Sequence, residues 1–182
     1  MKEIHTAIEI HASAEHVWNL LTDLERFSEW NPFIWRASGR IRSGERLTVE
    51  IRPPNSKAIT LRPTVLKAEP NRELRWLSQF FLPRLLDREH IFTIESRGMH
   101  QVRFVQREIY TGLLVPLLWS RISNKIRRGF KAMNMVLKWQ AENAAVAGLS
   151  KRTSAHLQLA CSKSQVHLPK PLRPTSPAMT IQ

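Results

Sequence analysis

The chain has 182 residues, of which 42% are hydrophobic and 24% charged, so it is long enough to bury a core and too apolar to be disordered throughout. Its formal charge is +13 at pH 7. The excess is spread along the chain, because residues 149–182 hold five basic residues and no acid, and residues 1–148 carry 23 basic against 15 acidic residues. A basic solvated surface explains this charge more simply than a specific nucleic-acid partner, although a weak contact with an anionic membrane is compatible with it.

The N-terminal 30 residues predict a strand followed by two short helices. Residues 3–11 alternate, with the even-numbered side chains from position 4 to position 10 on one face, which is the period of a half-buried strand. Ser13 is a favourable N-cap, and the apolar stripe after it predicts a helix to about Thr22. Asp23 is placed to cap a second short helix, which Pro32 prevents from continuing.

Six further strands are predicted before a long C-terminal helix. Turn-forming residues separate them, and short connections predict an antiparallel meander. The predicted strands are residues 33–40, 45–52, 58–68, 72–80, 87–96 and 101–110. The apolar segment 81–86 is interpreted as a packed corner, with a flap over the mouth of the structure as the alternative.

The last part of the chain predicts one long amphipathic helix and a tail. Apolar residues recur at three- and four-residue steps after Gly112, with basic residues mostly on the other side, and the pattern ends at Gly148. Residues 148–182 contain prolines among Ser, Thr and Lys without a sustained period, so we predict a disordered basic tail. The folded domain is therefore predicted over residues 1–147.

This order of elements predicts an α+β protein of the helix-grip kind. A seven-stranded antiparallel sheet would wrap around the long C-terminal helix, with the two short helices inserted after the first strand. The wide apolar stripe of the helix predicts a substantial cavity between helix and sheet.

Three segments support a family resemblance. They are Ile10–Trp18 continuing to Asp23, Trp30-Asn31-Pro32-Phe33, and Val65–Trp76. In these segments the chain resembles the START-like (SRPBCC) superfamily, and in particular its polyketide cyclase/dehydrase and lipid-transport-like branch. The resemblance covers about residues 3–143 and implies the helix-grip fold. Members bind lipids, hormones, quinones, polyketides or cochaperone partners, so the resemblance does not name a ligand.

The motifs of several other chemistries are missing from the sequence. It contains no glycine-rich phosphate loop, no His-Glu-x-x-His, no Cys-x-x-Cys and no Gly-x-Ser-x-Gly. We therefore expect no cofactor and no metal site. The charged N-terminal residues and the lack of ~18 consecutive apolar residues predict a cytoplasmic protein, and the single cysteine, Cys161, fits a reducing compartment.

Strand alternation predicts a polar cluster inside the cavity. If Phe92 and Phe104 face the helix, then His90, Gln106 and Glu108 share that face. In the strand at 58–68, an inward Leu66 would also turn Arg62 inward, where it could pair with Glu108. The alternative is that a β-bulge shifts the alternation and leaves these residues in water.

His90 and Glu108 are accordingly the candidate catalytic pair. Aromatic and aliphatic residues of the strands and the last helix complete the predicted ligand site, although the same residues could equally form the core. The predicted ligand-binding residues are Trp30, Trp35, Arg62, Trp76, His90, Phe92, Phe104, Gln106, Glu108, Trp119, Ile122, Ile126 and Phe130.

Three functional hypotheses follow. The favoured one is non-catalytic binding of a hydrophobic small molecule, such as a lipid or a polyketide-like or quinone-like compound. The second is a cyclase/dehydratase-type enzyme in which His90 and Glu108 promote ring closure or loss of water. The third is an interaction module that docks its basic helix and tail on nucleic acid, a membrane or an acidic protein.

Overall fold

The computed structural model describes residues 1–79 and 84–164, with side chains described as far as residue 143. Contacts divide the chain into two units, Met1–Ala145 and Val146–Gln182, and all packing described below lies in the first. The strands are β1 (Lys2–Ile10), β2 (Ile34–Ser38), β3 (Thr48–Ile51), β4 (Ile59–Leu61), β5 (Thr64–Glu69), β6 (Glu73–Gln79), β7 (Asp87–Ser96) and β8 (Val102–Thr111). The helices are α1 (Ala14–Thr22), α2 (Phe27–Trp30) and α3 (Val115–Ser164), with a 3-10 turn at Leu24–Arg26.

The strands form two antiparallel sheets. The larger sheet has the order β1-β8-β7-β6-β5 and the smaller one the order β2-β3-β4. The longest pairing joins β7 to β8 without a register shift, from Asp87 opposite Thr111 to Ser96 opposite Val102. The turn between these strands contains Gly98 at a φ of 138°, a conformation that glycine adopts without strain. This uninterrupted hairpin fixes which side chains of β7 and β8 face α3.

The predicted α+β class, antiparallel pairing and long C-terminal helix are confirmed, but the single seven-stranded sheet is wrong. The described residues contain eight strands in two sheets. The predicted strand at 58–68 is interrupted at Pro63, so β4 ends at Leu61 and β5 begins at Thr64. Proline has no N–H to donate to a neighbouring strand, and only its carbonyl is used, accepting from the Leu47 N–H at 2.8 Å.

The elements near the N-terminus match the sequence with one exception. Ile4, Thr6 and Ile10 of β1 are buried as the alternation predicts, and the Ser13 hydroxyl caps α1 by accepting from the His16 N–H at 3.2 Å. Asp23 makes no side-chain capping bond, so its predicted role is wrong. The 3-10 turn comes between Asp23 and α2, and this separates the aspartate from the helix start.

Helix α3 is longer than the sequence pattern predicts, since it continues past Ala147 to Ser164. A glycine inside a helix costs about 1 kcal/mol relative to alanine but does not by itself end the helix. Gly148 therefore was not a sufficient stop signal. Residues 165–182 of the predicted tail lie outside the described residues, as do residues 81–83 of the predicted corner, and the domain boundary at residue 147 stays a prediction. None of the helices in the described part of the chain is long and apolar enough to cross a membrane.

The core lies between the larger sheet and α3. Phe92 and Phe104 from the sheet are fully buried together with Phe130, Met133 and Leu137 from the helix. Gly129 marks the closest approach of α3 to the segment before β2, because a Cβ atom at this position would overlap the ring of Phe33.

Replacing Gly129 with alanine should therefore destabilise the protein by about 1–3 kcal/mol, the usual cost of overpacking a core. In an open helix the same change would stabilise by about 1 kcal/mol. Urea unfolding of Gly129→Ala and of the exposed-site control Ala132→Gly on the same helix measures both effects. A gain in the free energy of unfolding for Gly129→Ala would show that α3 and Phe33 are not in close contact.

Candidate ligand cleft

A partly open cleft of about 640 Å³ lies between α3 and the strands. Its walls come from α3, β4, the end of β3 with the loop that follows it, and residues of β6, β7 and β8. Aliphatic side chains and a proline cover much of the interior. These residues are Ile51, Pro53, Ile59, Leu61, Leu86, Leu118, Ile122 and Ile126.

Helix α3 contributes one continuous face to the cleft. Leu118, Arg121, Ile122, Lys125 and Ile126 all line it, and steps of three and four residues place such positions on one side of a helix. Aliphatic and basic side chains are thus interleaved along the same wall. The Lys125 ammonium donates to the Ser56 hydroxyl at 3.0 Å, which joins the helix to the loop after β3.

The inner wall of the cleft carries an ionic cluster. Arg88 and Tyr110 line the cleft, and both bind Glu108 behind them. The Arg88 guanidinium donates to Glu108 Oε1 from Nη2 at 2.6 Å and from Nε at 3.1 Å, while the Tyr110 hydroxyl donates to Oε2. Burial, together with the neighbouring Glu108 carboxylate, raises the pKa of Tyr110 well above its usual range, so the phenol keeps its proton.

His90 belongs to a separate polar chain inside the core. Its Nε2–H donates to Gln106 Oε1 at 3.2 Å, and the Gln106 amide donates in turn to Asn134 Oδ1. Asn134 then donates to Thr6 Oγ1 at 3.2 Å. The chain links β7, β8, α3 and β1, and it satisfies polar groups that are almost fully buried.

Aromatic rings enclose His90 on both faces. Its ring stacks on Phe92 at a centroid distance of 4.0 Å and on Phe130 at 4.7 Å, and it contacts the edge of Trp76 at 5.6 Å. Burial is the main reason that its pKa falls to about 4, and the nearby Arg88 charge adds to the effect. The imidazole is therefore neutral at pH 7.

The predicted inward alternation of β7 and β8 is confirmed, because His90, Gln106 and Glu108 are all buried. The predicted pairing of Arg62 with Glu108 is wrong. Val65, not Leu66, is buried in β5, and a bulge between Val65 and Lys67 breaks the alternation on which that prediction depended. Arg62 instead lies exposed at the rim of the cleft, and Arg88 supplies the cation.

The predicted ligand-binding residues divide into three groups, of which the first is the buried polar set His90, Gln106 and Glu108. Arg62, Ile122 and Ile126 line the cleft. The aromatic side chains lie elsewhere. Trp76, Phe92 and Phe130 surround His90 in the core, and Phe104 stacks on Phe92 at 6.2 Å. Trp119 contacts the Tyr110 ring at 5.6 Å, Trp30 packs on Phe27 at 5.2 Å, and Trp35 lies beneath the Arg52 guanidinium at 3.9 Å.

Several cleft residues were missed although the sequence held signals for them. Arg88 has the same strand alternation as His90, and Tyr110 the same as Glu108, so both could have been placed on the inner face. Arg121 and Lys125 lie three residues after Leu118 and Ile122 respectively, at helical spacing. Ser56 belongs to a loop, where no periodic signal exists. Within the described residues, no three His, Cys, Asp or Glu side chains are grouped so that they could hold a metal ion.

A family model described as polyketide cyclase/dehydrase and lipid transport matches residues 1–133. The chain belongs to this family. The sequence resemblance is thus confirmed over most of the first unit, and the cleft lies within the matched segment. A search of curated proteins finds no match.

Solved structures of this fold show the same architecture at low identity. A START superfamily protein from Mycobacterium smegmatis aligns with a TM-score of 0.63 and 17% identity, covering 78% of this chain and 98% of that one. The Zhui aromatase/cyclase from Streptomyces sp. R1128 gives 0.63 and 12%, covering 79% and 95%. A norcoclaurine synthase point mutant from Thalictrum flavum gives 0.62 and 12%, covering 79% and 96%. At these identities the similarity establishes the fold alone.

Removing the charge of Arg88 should destabilise the protein strongly. Arg88→Met leaves the Glu108 carboxylate buried without its cation, which costs about 3–5 kcal/mol in comparable buried pairs. The matched control is Arg75→Met, since Arg75 pairs with Glu89 at 3.0 Å on a more exposed surface, where a pair is worth about 1 kcal/mol or less. Equal losses in denaturant unfolding would show that Glu108 is not buried as described.

His90 should make stability depend on pH. In the unfolded chain its pKa is near 6.5 and in the fold about 4, so its contribution is complete above pH 6.5 and is lost as the pH falls towards 4. The loss should total about 3 kcal/mol, because each pH unit between the two pKa values costs about 1.4 kcal/mol. Unfolding measured from pH 7.5 to 4 should show this slope in the wild type and in the exposed-site control His100→Gln, and should show a smaller slope in His90→Gln.

Proposed function

We propose that the cleft binds a hydrophobic small molecule and that binding requires no catalytic step. Its volume of about 640 Å³ lies within the range of about 300–1,000 Å³ that is typical of ligand sites. The aliphatic lining provides the apolar surface that such a ligand would bury, and the polar groups at the inner wall provide a small number of fixed hydrogen-bonding positions. Membership in a polyketide cyclase/dehydrase and lipid transport family supports this class of ligand.

The positions of His90 and Glu108 favour binding over catalysis by this pair. An acid or base must come within hydrogen-bonding reach of the reacting atom, and neither residue is among those that line the cleft. The His90 ring is stacked on both faces and hydrogen-bonded at Nε2. Both carboxylate oxygens of Glu108 are already bound by Arg88 and Tyr110.

A cyclase/dehydratase activity remains the second candidate, with different residues. Arg88 lies at the inner wall, and only its Nε and Nη2 groups bind Glu108, so a ligand carbonyl could accept hydrogen bonds from the rest of the guanidinium. The Zhui aromatase/cyclase has the same fold. In this alternative the Arg88 guanidinium would stabilise the negative charge that develops on a ligand carbonyl oxygen. The interaction-module hypothesis stays a prediction, because residues 165–182 of the basic tail lie outside the described part of the chain.

Filling the cleft should weaken binding of a neutral hydrophobic probe. N-phenyl-1-naphthylamine fluoresces on entering an apolar site, and we expect the wild type to bind it. Ile122→Trp places a large ring in the cleft wall and should weaken binding at least tenfold. Leu117→Trp is the matched control, because Leu117 is on the same helix, 71% exposed, and not among the cleft residues.

The two variants must first give equal unfolding midpoints to within the error of the measurement. Equal probe affinity for Ile122→Trp and wild type would contradict binding in the cleft. Mass spectrometry of polyketone compounds recovered after incubation with the wild type distinguishes the two candidate functions. An unchanged mass with an unchanged chromatographic retention time supports binding alone. A new isomer of the same mass, as ring closure would give, or a product lighter by one water molecule supports the cyclase/dehydratase alternative.

A further inference from the structure

We propose that the cleft selects acidic amphiphiles: ligands with an apolar body and a single carboxylate or phosphate group that lies at the rim. This inference rests on the proposed function and specifies the chemical class of its ligand. The evidence is the charge of the lining residues, their arrangement from rim to interior, and the hydrogen bond that fixes one of the cations.

The cleft carries a strong positive charge. Arg62, Arg88, Arg121 and Lys125 line it, and none of the described lining residues is acidic. Glu108, behind the wall, neutralises Arg88. The other three cations form no ion pair with any residue that the structure describes. A net charge of +3 therefore faces a partly enclosed space with apolar walls.

The three cations come from two different parts of the cleft wall. Arg62 comes from the end of β4, while Arg121 and Lys125 lie one helical turn apart on α3. Arg62 and Arg121 are exposed and Lys125 is half-buried. An anionic group between the two walls could accept from guanidinium and ammonium donors at once, which is the arrangement that charge-assisted recognition of carboxylate or phosphate uses.

Lys125 is held in place before any ligand binds. Its ammonium donates to Ser56 Oγ at 3.0 Å, and the same hydroxyl donates to the Pro54 carbonyl at 3.4 Å. An ammonium group has three donors, so two remain available for an anion. This contact also keeps the loop after β3 against α3 at the mouth of the cleft.

Polarity falls from the rim to the interior. The exposed residues Arg62 and Arg121 are at the rim, whereas Ile51 and Ile126 are at most 6% exposed. Like charges around a low-dielectric space repel each other until a counter-ion enters, and a bound anion would interact more strongly there than in bulk water. An amphiphile with its charge outward and its chain inward matches both the charge and the apolar gradient.

The test compares ligands that share a ten-carbon chain and differ in the head group. Decanoic acid, its methyl ester and decyl phosphate compete with N-phenyl-1-naphthylamine at pH 7.5 and 0.15 M salt. We expect the acid or the phosphate to bind at least tenfold more tightly than the ester. Preference for decanoic acid indicates a free carboxylic acid as the natural ligand, and preference for decyl phosphate indicates a phosphate group.

The variants show whether the rim cations cause the preference. In Arg62→Gln/Arg121→Gln the ratio of acid affinity to ester affinity should fall from at least ten to about one, and Lys125→Gln should reduce this ratio in part. Arg128→Gln is the matched control, since Arg128 is exposed on α3 and is not among the cleft residues.

The outcomes separate this inference from the proposed function. If acid and ester bind the wild type equally, or if the double variant keeps the preference, the selection of acidic ligands is overturned while cleft binding stands. If the neutral probe fails to bind the wild type and none of the three decyl compounds binds in direct calorimetry, the proposed function itself is overturned, and this inference fails with it.

Discussion

The buried carboxylate of Glu108 needs a partner for each of its oxygens. Arg88 and Tyr110, which line the inner wall of the cleft, are those partners. Glu108 is 1% exposed, and a carboxylate in such surroundings is stable only with a cation and further hydrogen bonds. The β7–β8 register supplies them, because Arg88 is paired with Tyr110 across the two strands, next to the pair formed by His90 and Glu108. The cation, the carboxylate and the phenol thus lie on one face of a single hairpin.

The same hairpin also carries the buried polar side chains of His90 and Gln106, which need hydrogen-bond partners of their own. His90 donates to Gln106, and the amide of Asn134 on α3 joins this pair to Thr6 on β1. Because these hydrogen bonds join the sheet to the helix, they fix the position of α3 along the sheet. These four side chains form a buried polar layer that stabilises the fold, because most of their hydrogen-bonding groups are used within the protein.

This division explains why the cleft has different chemistry from the buried layer. At the cleft, α3 faces β4 and the loop after β3, and the space between them is left open. The rim cations Arg62, Arg121 and Lys125 come from exposed or half-buried positions, where charge is tolerated. Arg88, Glu108 and His90 of the hairpin already have partners within the protein. Arg62, directly after β4, and the α3 residues Arg121 and Lys125 face the opening instead.

The sequence predicted the parts of the site that depend on regular alternation. The burial of His90, Gln106 and Glu108 followed from Phe92 and Phe104, because β7 and β8 pair without a bulge. The same argument wrongly predicted an inward Arg62, because Pro63 and the bulge after Val65 interrupt the strand. The alternation within one strand predicts which way Glu108 points. The contact with Arg88 also depends on the register between two strands, which the sequence of one strand does not contain.

The overall charge of +13 and the charge of the cleft have different physical consequences. Exposed cations spread over a surface attract any anion, and at 0.15 M salt this attraction is screened beyond about 8 Å. Cations that line a partly apolar cleft contact a bound ligand directly, and salt screens such contacts only weakly. Without these cations, an anionic group that enters the cleft would lose its water and gain no partner. The general surface charge would therefore raise the rate at which anionic ligands arrive, while Arg62, Arg121 and Lys125 would determine which of them stay bound.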